Sequence, residues 1–247
     1  MIFTFMPDYQ ERFYRSKISS PDWISFTIQV KESDLWVRAR KDLSAEGYGR
    51  VFQYRHALET YIHQNPNFKD SLMPLGLDPL APSIVQAMLQ SGKAAGVGPM
   101  AAVAGAIAEF VGNDLLAFSP DIIIENGGDL FIVCNEPLTV GIYAGESPLS
   151  GRLGIQLSPS DRPVGLCTSS GTVGHSLSFG RADAVTILSP SAVLSDAAAT
   201  AVGNRVRTKN DIQSALDWSQ QIPDVEGALI ICGEQMGVWG KLELVSI

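Results

Sequence analysis

The sequence predicts an α+β fold, and three observations carry that prediction. Strand-like and helix-like stretches follow one another without regular β-α alternation. Two strand-composed runs near the start, WISFTIQV and LWVRA, are joined by the polar turn Lys31-Glu32-Ser33-Asp34 and form a hairpin over 23–39. Two alanine-rich helices, one in each half of the chain and each beside glycine, hint at two related subdomains within one domain spanning 1–247.

After the hairpin, Val51, Leu58 and Ile62 recur at helical turns and predict a helix from Leu43 to His63, stopped by Asn65-Pro66. Most of Arg50, Arg55, His56 and His63 are read as its solvated face rather than as part of a site. SLMPLGLDPLAPS is a Pro/Gly-rich loop leading into a helix from Pro82 to Gln90. A glycine turn then opens the first alanine-rich helix, AAGVGPMAAVAGAIAEFVG. Strands are expected at 121–125, 130–134, 138–143, 151–157, 164–168 and 182–188. The second alanine-rich helix runs from about Val193 to Val206, a polar helix follows at 209–221, and strands at 227–232 and 242–247 close the chain.

With 45% hydrophobic and 18% charged residues, the 247-residue chain is of ordinary globular composition. A net charge of −8 and a pI near 4.9 argue against a bulk electrostatic grip on nucleic acid or anionic lipid. Any phosphate must be held locally, by backbone amides, a metal or a few basic residues. Cys134, Cys167 and Cys232 are odd in number and form no C-x-x-C pair, which predicts reduced thiols in a cytoplasmic protein. The apolar stretch from Met100 to Val111 is too short to span a bilayer. Residues 1–17 lack a basic region ahead of a long apolar run, so no secretory leader is expected.

Four segments can carry chemistry. In Ser195-Asp196-Ala197-Ala198-Ala199-Thr200, Asp196 and Thr200 lie four residues apart, one turn on the same helix face. Hard oxygen donors so placed suit Mg²⁺, which takes one or two protein ligands and completes its octahedron with water and substrate phosphates. The alternative is an N-capping Asp196 with Thr200 bonded back to a carbonyl. Gly96-Val97-Gly98-Pro99-Met100-Ala101 matches G-x-G-x-x-A, and amides of Gly96 and Gly98 at a helix start could meet a phosphate. No acidic residue closes a following strand at the dinucleotide spacing, so helix packing competes with that reading.

Glu125-Asn126-Gly127-Gly128-Asp129 places carboxylates on both sides of a glycine pair. Asn126-Gly127 would serve as a type I′ hairpin turn, while the acids could bind a cation, hydrogen-bond a ligand or cap turns. Thr168-Ser169-Ser170-Gly171 is a hydroxyl-rich loop suited to a phosphate or heterocycle edge, and no G-x-S-x-G elbow surrounds its serines. His175, just beyond it, is a candidate acid or base near neutral pH.

Taken in order, these segments resemble the ApbE-like superfamily, whose characterised members are Mg²⁺-dependent FAD:protein FMN transferases. GVGPMAAVAG resembles the family's D-L-G-G-I-A-K-G segment, NGGD its G-G-D, TSSG its A-T-S-G and SDAAAT its A-D-A-x-A-T, together covering roughly residues 90–205. The ERFYRSK start, the hairpin and AGVGPMAAVAGA are more similar to a stand-alone cytoplasmic branch of the superfamily. The resemblance implies an ApbE-like α+β fold with mixed, mainly antiparallel sheets and packed Ala/Gly-rich helices.

It further implies Mg²⁺ on Asp196 and Thr200, with the carbonyl of Ala101 or Ala199 as a further ligand. Gly127, Gly128 and Asp129 would line a flavin or nucleotide cleft, and Thr168, Ser169, Ser170 and Gly171 would face the ligand. His175 and Asp129 are the acid/base candidates. Two features depart from the family. Ala102 stands where the transferases carry lysine, and a shortened stretch from His175 to Gly180 replaces H-x-x-D-P-x-T-G. The function expected is Mg²⁺-assisted binding of a small phosphate-bearing ligand such as FAD, with phosphoryl or nucleotidyl transfer if catalysis is retained. The rivals are a non-catalytic binding module, an enzyme of unrelated chemistry on the same scaffold, and a homo-oligomeric structural subunit.

Overall fold

Alternation of apolar side chains at period two organises the molecule into three layers. The computed structural model describes residues 22–172 and 179–247. Its large sheet has eight strands, β1 (Ile24–Val30), β2 (Ser33–Ala39), β3 (Ile122–Asn126), β4 (Asp129–Cys134), β7 (Ser160–Ser169), β8 (Ala184–Ser189), β9 (Gly227–Cys232) and β10 (Gln235–Gly240), in that spatial order. Every neighbouring pair is antiparallel. A second sheet orders β11 (Glu243–Ser246), β6 (Leu153–Leu157) and β5 (Leu138–Gly141), also antiparallel.

Both faces of the central strands are buried, each against a different layer. Ile122, Ile124, Phe131, Val133, Cys167, Val185, Ile187, Ala228 and Ile230 join the helices in one core. Their alternates Ile123, Ile132, Leu166, Leu188, Leu229 and Ile231 join Ile155 and Leu244 of the small sheet in another. This is why these strands read as continuous apolar runs rather than half-polar ones.

The helical layer consists of α1 (Ser44–Gln64), the short α2 (Asn67–Asp70), α3 (Ser83–Ala95), α4 (Val103–Leu115), α5 (Ala192–Gly203) and α6 (Ile212–Ser219). Alanine and glycine dominate α4 and α5 because these helices meet each other and the sheet at short range. A Cβ at Gly105 would press into the Ala192 carbonyl and stand 2.8 Å from Asp196 Cβ. No single helix among the described residues is long and apolar enough to cross a membrane.

Several sequence expectations shift. The helix predicted to end at Gln90 runs on to Ala95, because Ser91 and Gly92 are buried in its packed face. β10, QMGVWG, was not anticipated. It lies at the sheet edge with alternate residues exposed, and its two glycines weaken the strand signal. Arg55 is not solvated. It reaches the β1–β2 turn, donating to Ser33 Oγ at 2.8 Å and pairing with Glu32 and Glu59, whereas His56 and His63 are exposed.

Candidate functional site

The first turn of α4, the β3–β4 turn, the end of β7 and the middle of α5 converge on two carboxylates. Ser191 caps α5, its side chain accepting the Leu194 amide. Asp196 therefore sits inside the helix rather than at its cap. Its Oδ2 instead accepts the Gly105 amide of α4 at 2.8 Å, and the Ala104 amide adds to the field around it. A residue of one helix thus caps the other, at the end where unsatisfied amides and the helix dipole favour negative charge. The arrangement is reciprocal: Glu109 of α4 accepts from Ser191 Oγ at 2.8 Å and from the Val193 amide at 3.1 Å at the start of α5.

Asp129 opens β4, paired in register with Asn126 on β3 and Cys167 on β7. It is 7% exposed, and its Oδ1 is buried with no hydrogen-bond partner. Burial, then the charge of Asp196 and that of Glu125, push its carboxyl well above the usual range, against the Cys167 thiol and the Thr168 amide, which favour the charged form. Asp196 keeps a partial opening to solvent, yet desolvation by the packed helices raises it to about 7, despite the two amides that pull it down.

Thr200 follows Asp196 by one turn on α5 and is likewise half-buried. The β3–β4 turn is built by Gly127 and Gly128, with φ of +70° and +107°, closed by the Asn126–Asp129 pair. The turn pair is therefore Gly-Gly rather than Asn126-Gly127, since both central residues need positive φ and glycine adopts it without strain. The Gly128 carbonyl accepts the Thr168 amide at 3.2 Å, which docks the hydroxyl-rich loop on this turn. Thr168 Oγ1 is paired with Thr186 Oγ1 at 2.8 Å, Ser170 Oγ accepts the Thr172 amide, and the Gly171 amide donates to Ala182 O. Ser169 lies at the end of β7 beside Gly203 of α5.

Gly96 and Gly98 serve otherwise. Gly96, at φ +73°, ends α3 with its amide on Gly92 O, and the Gly98 amide donates to Leu72 O at 2.9 Å where a side chain would strike the Ser71 backbone. Both amides are used within the fold, so the structure favours the packing reading of this turn over phosphate capture. His175 lies outside the described residues.

Sequence reasoning missed three participants. Cys167, read as packing, is fully buried beside Asp129, and burial first, then the two acids, push its thiol pKa up. Glu109 was legible as the lone charge in an apolar stretch. Asn126 was assigned to the turn, although Ile122, Ile124 and Asn126 alternate onto the helix face.

Among the described residues no three His, Cys, Asp or Glu side chains form a metal-holding group. The donors available are two carboxylates and a hydroxyl, hard oxygens throughout. That set fits a cation that keeps water and ligand oxygens in its shell, as Mg²⁺ does, and Asp129 Oδ1 is buried without a hydrogen-bond partner.

The family model described as AbpE bacteria matches residues 15–238. Among relatives, the UPF0280 protein of Methanococcus maripaludis strain C5 is 43% identical over 221 residues, covering 87% of this chain and 90% of its own. That of Methanocella arvoryzae is 40% identical over 215 residues, 87% of each chain. Among solved structures, the apo form of Pseudomonas stutzeri flavinyl transferase ApbE superposes with a TM-score of 0.58 at 13% identity, over 88% of this chain and 94% of its own. The ApbE protein of Thermotoga maritima gives 0.56 at 12% identity, over 87% and 96%. At these identities the likeness is one of fold, and the fold is the α+β architecture of ApbE.

Proposed function

The chain belongs to the family described as AbpE bacteria, and from that premise we propose that it binds a phosphate-bearing nucleotide, FAD foremost, together with Mg²⁺ at Asp196 and Thr200. The observation that carries this reading is the paired acids beneath the α4 N-terminus: a buried carboxylate oxygen of Asp129 without a partner, on a carboxyl that feels the charge of Asp196. Such a pair is stabilised by a cation and destabilised without one. Asp196, fixed by the Gly105 amide, and Thr200, one turn on, would hold the ion, with Asp129 as neighbouring acid. The bound ion would supply neutralisation of charge on phosphate oxygens.

The chain's own groups have separable tasks. Gly127 and Gly128 leave the turn above Asp129 bare of side chains, so a ligand can approach the backbone. Thr168, held by Thr186, anchors the loop whose Ser169, Ser170 and Gly171 would face the ligand. Asp129, whose carboxyl burial pushes toward the neutral form, is the candidate to hold a proton and give it to a leaving oxygen. His175 is the other acid/base candidate.

A second reading, ligand binding without transfer, is favoured by Ala102, which is fully buried where the transferases carry lysine. No side chain at that position reaches a phosphate. Titration of the metal-free protein with FAD, followed by flavin fluorescence with and without Mg²⁺, tests the binding step. Metal-dependent binding lost in Asp196→Ala is expected, and unchanged binding in that variant would sink the metal role. AMP release from FAD then separates transfer or hydrolysis from simple binding.

A further inference from the structure

Asn126 has no part in the turn chemistry that its sequence suggests. The two central turn positions are Gly127 and Gly128, and Asn126 closes the hairpin from β3 opposite Asp129. Its side chain is on the helix face, in step with Ile122 and Ile124, and the residue is 8% exposed. There Nδ2 donates to the Ala104 carbonyl at 3.1 Å. Ala104 belongs to the same first turn of α4 whose next residue, Gly105, gives its amide to Asp196.

The contacts therefore close a circuit. Asp129 stands opposite Asn126, Asn126 holds Ala104, Gly105 holds Asp196, and the charge of Asp196 acts on Asp129. Directly opposed residues on paired strands have Cβ atoms about 4.5–5.5 Å apart, so fixing Asn126 also fixes Asp129. The Asn126 amide joins β3 to α4, and the Gly105 amide in the same turn joins α4 to α5. Nothing else in β3 requires it, since an aliphatic residue would continue the Ile122 and Ile124 pattern.

We infer that Asn126 is a positioning residue, tying the β3–β4 turn to α4 so that Asp129 is held in fixed relation to Asp196, the residue that with Thr200 would hold the cation. The inference rests on the metal reading given above. Removing the amide leaves Ala104 its intrahelical donor, so no buried acceptor is orphaned and the fold survives. What changes is the freedom of the two carboxylates relative to each other. Loss of groups that orient metal ligands typically weakens binding about 10–100-fold.

The test uses Mn²⁺ as a paramagnetic probe of the hard-cation site, with free ion quantified by EPR on the full chain. Wild type, Asn126→Ala, Asn126→Ser and Asp196→Ala are titrated, and the metal-free melting temperature of each is recorded. Expected is a Kd raised at least about tenfold in both Asn126 variants with cooperative melting retained. A Kd within about twofold of wild type in either folded variant, while Asp196→Ala abolishes binding, overturns the positioning role and leaves the metal site standing. Binding that is absent from wild type, or indifferent to Asp196→Ala, overturns the metal reading and this inference together. If Asn126→Ala fails to fold, the Ser variant alone decides.

Discussion

Gly105→Ala is expected to destabilise the protein even though alanine is the better helix former. Intrinsic propensity alone favours the substitution by up to about 1 kcal/mol in a helix interior. The structure opposes it: the new methyl would press into the Ala192 carbonyl and lie 2.8 Å from Asp196 Cβ, so α4 and α5 must move apart. Overpacking of this kind costs roughly 1–3 kcal/mol. The same movement stretches the bond from the Gly105 amide to Asp196 Oδ2, now 2.8 Å, and a hydrogen bond to a charged group contributes about 1.5–3 kcal/mol. A net loss of about 2 kcal/mol remains if that bond is half lost, or about 4–8 °C in melting temperature for a chain of this size. Gly49→Ala is the control, because it is exposed within α1 and nothing lies within 4 Å of its added Cβ. It should gain about 0.5–1 kcal/mol. Urea unfolding and calorimetry of the two variants measure opposite signs. If Gly105→Ala melts at or above wild type, the close helix crossing, and with it the support of Asp196, is wrong.

Three other outcomes follow from the same geometry. Asp196 titrates near 7 in the fold and near 4 when unfolded, so the native state binds the extra proton. The resulting stabilisation is complete below about pH 4 and is lost as pH rises to about 7. Metal-free protein should therefore melt several degrees higher at pH 5 than at pH 8, with Asp196→Asn flattening the slope. Saturating Mg²⁺ should raise the melting temperature most at pH 8, and an absence of any pH slope would contradict the buried pair. Native thiols should resist a disulfide reagent at pH 8, since burial raises Cys134, Cys167 and Cys232 above ordinary thiol values. Cys232, which is only partly buried, should react first, and rapid labelling of Cys167 would refute its placement. Tyr54, whose hydroxyl donates to Asp114 at 2.8 Å, is pushed up to about 12. Spectrophotometric titration should show a late-ionising phenol phase, and Tyr54→Phe should reduce that phase while lowering stability by about 1 kcal/mol.

What the sequence determined by itself was local. The hairpin over 23–39, the helix stop at Asn65-Pro66 and the buried runs read at 121–125 and 130–134, which the structure realises within a residue at their ends, follow from periodicity and punctuation, which act over a few residues. The i,i+4 relation of Asp196 and Thr200 is equally local, and α5 realises it. The ordered motifs also carried the family and hence the fold. What only tertiary structure decided were meetings between segments far apart in the chain. The alternative reading of Asp196 as a cap had the right chemistry and the wrong helix, because its amide partner lies 91 residues away. Gly96 and Gly98 matched a phosphate motif, yet their amides are engaged by Gly92 and Leu72. Asn126 and Gly127 had the composition of a turn, but strand register moved the turn by one residue and turned the Asn126 amide toward α4. Backbone amides and polar side chains take whatever partner the packing brings within about 3 Å, and that partner is set by the sum of apolar burial across the whole chain rather than by the neighbours of any one residue.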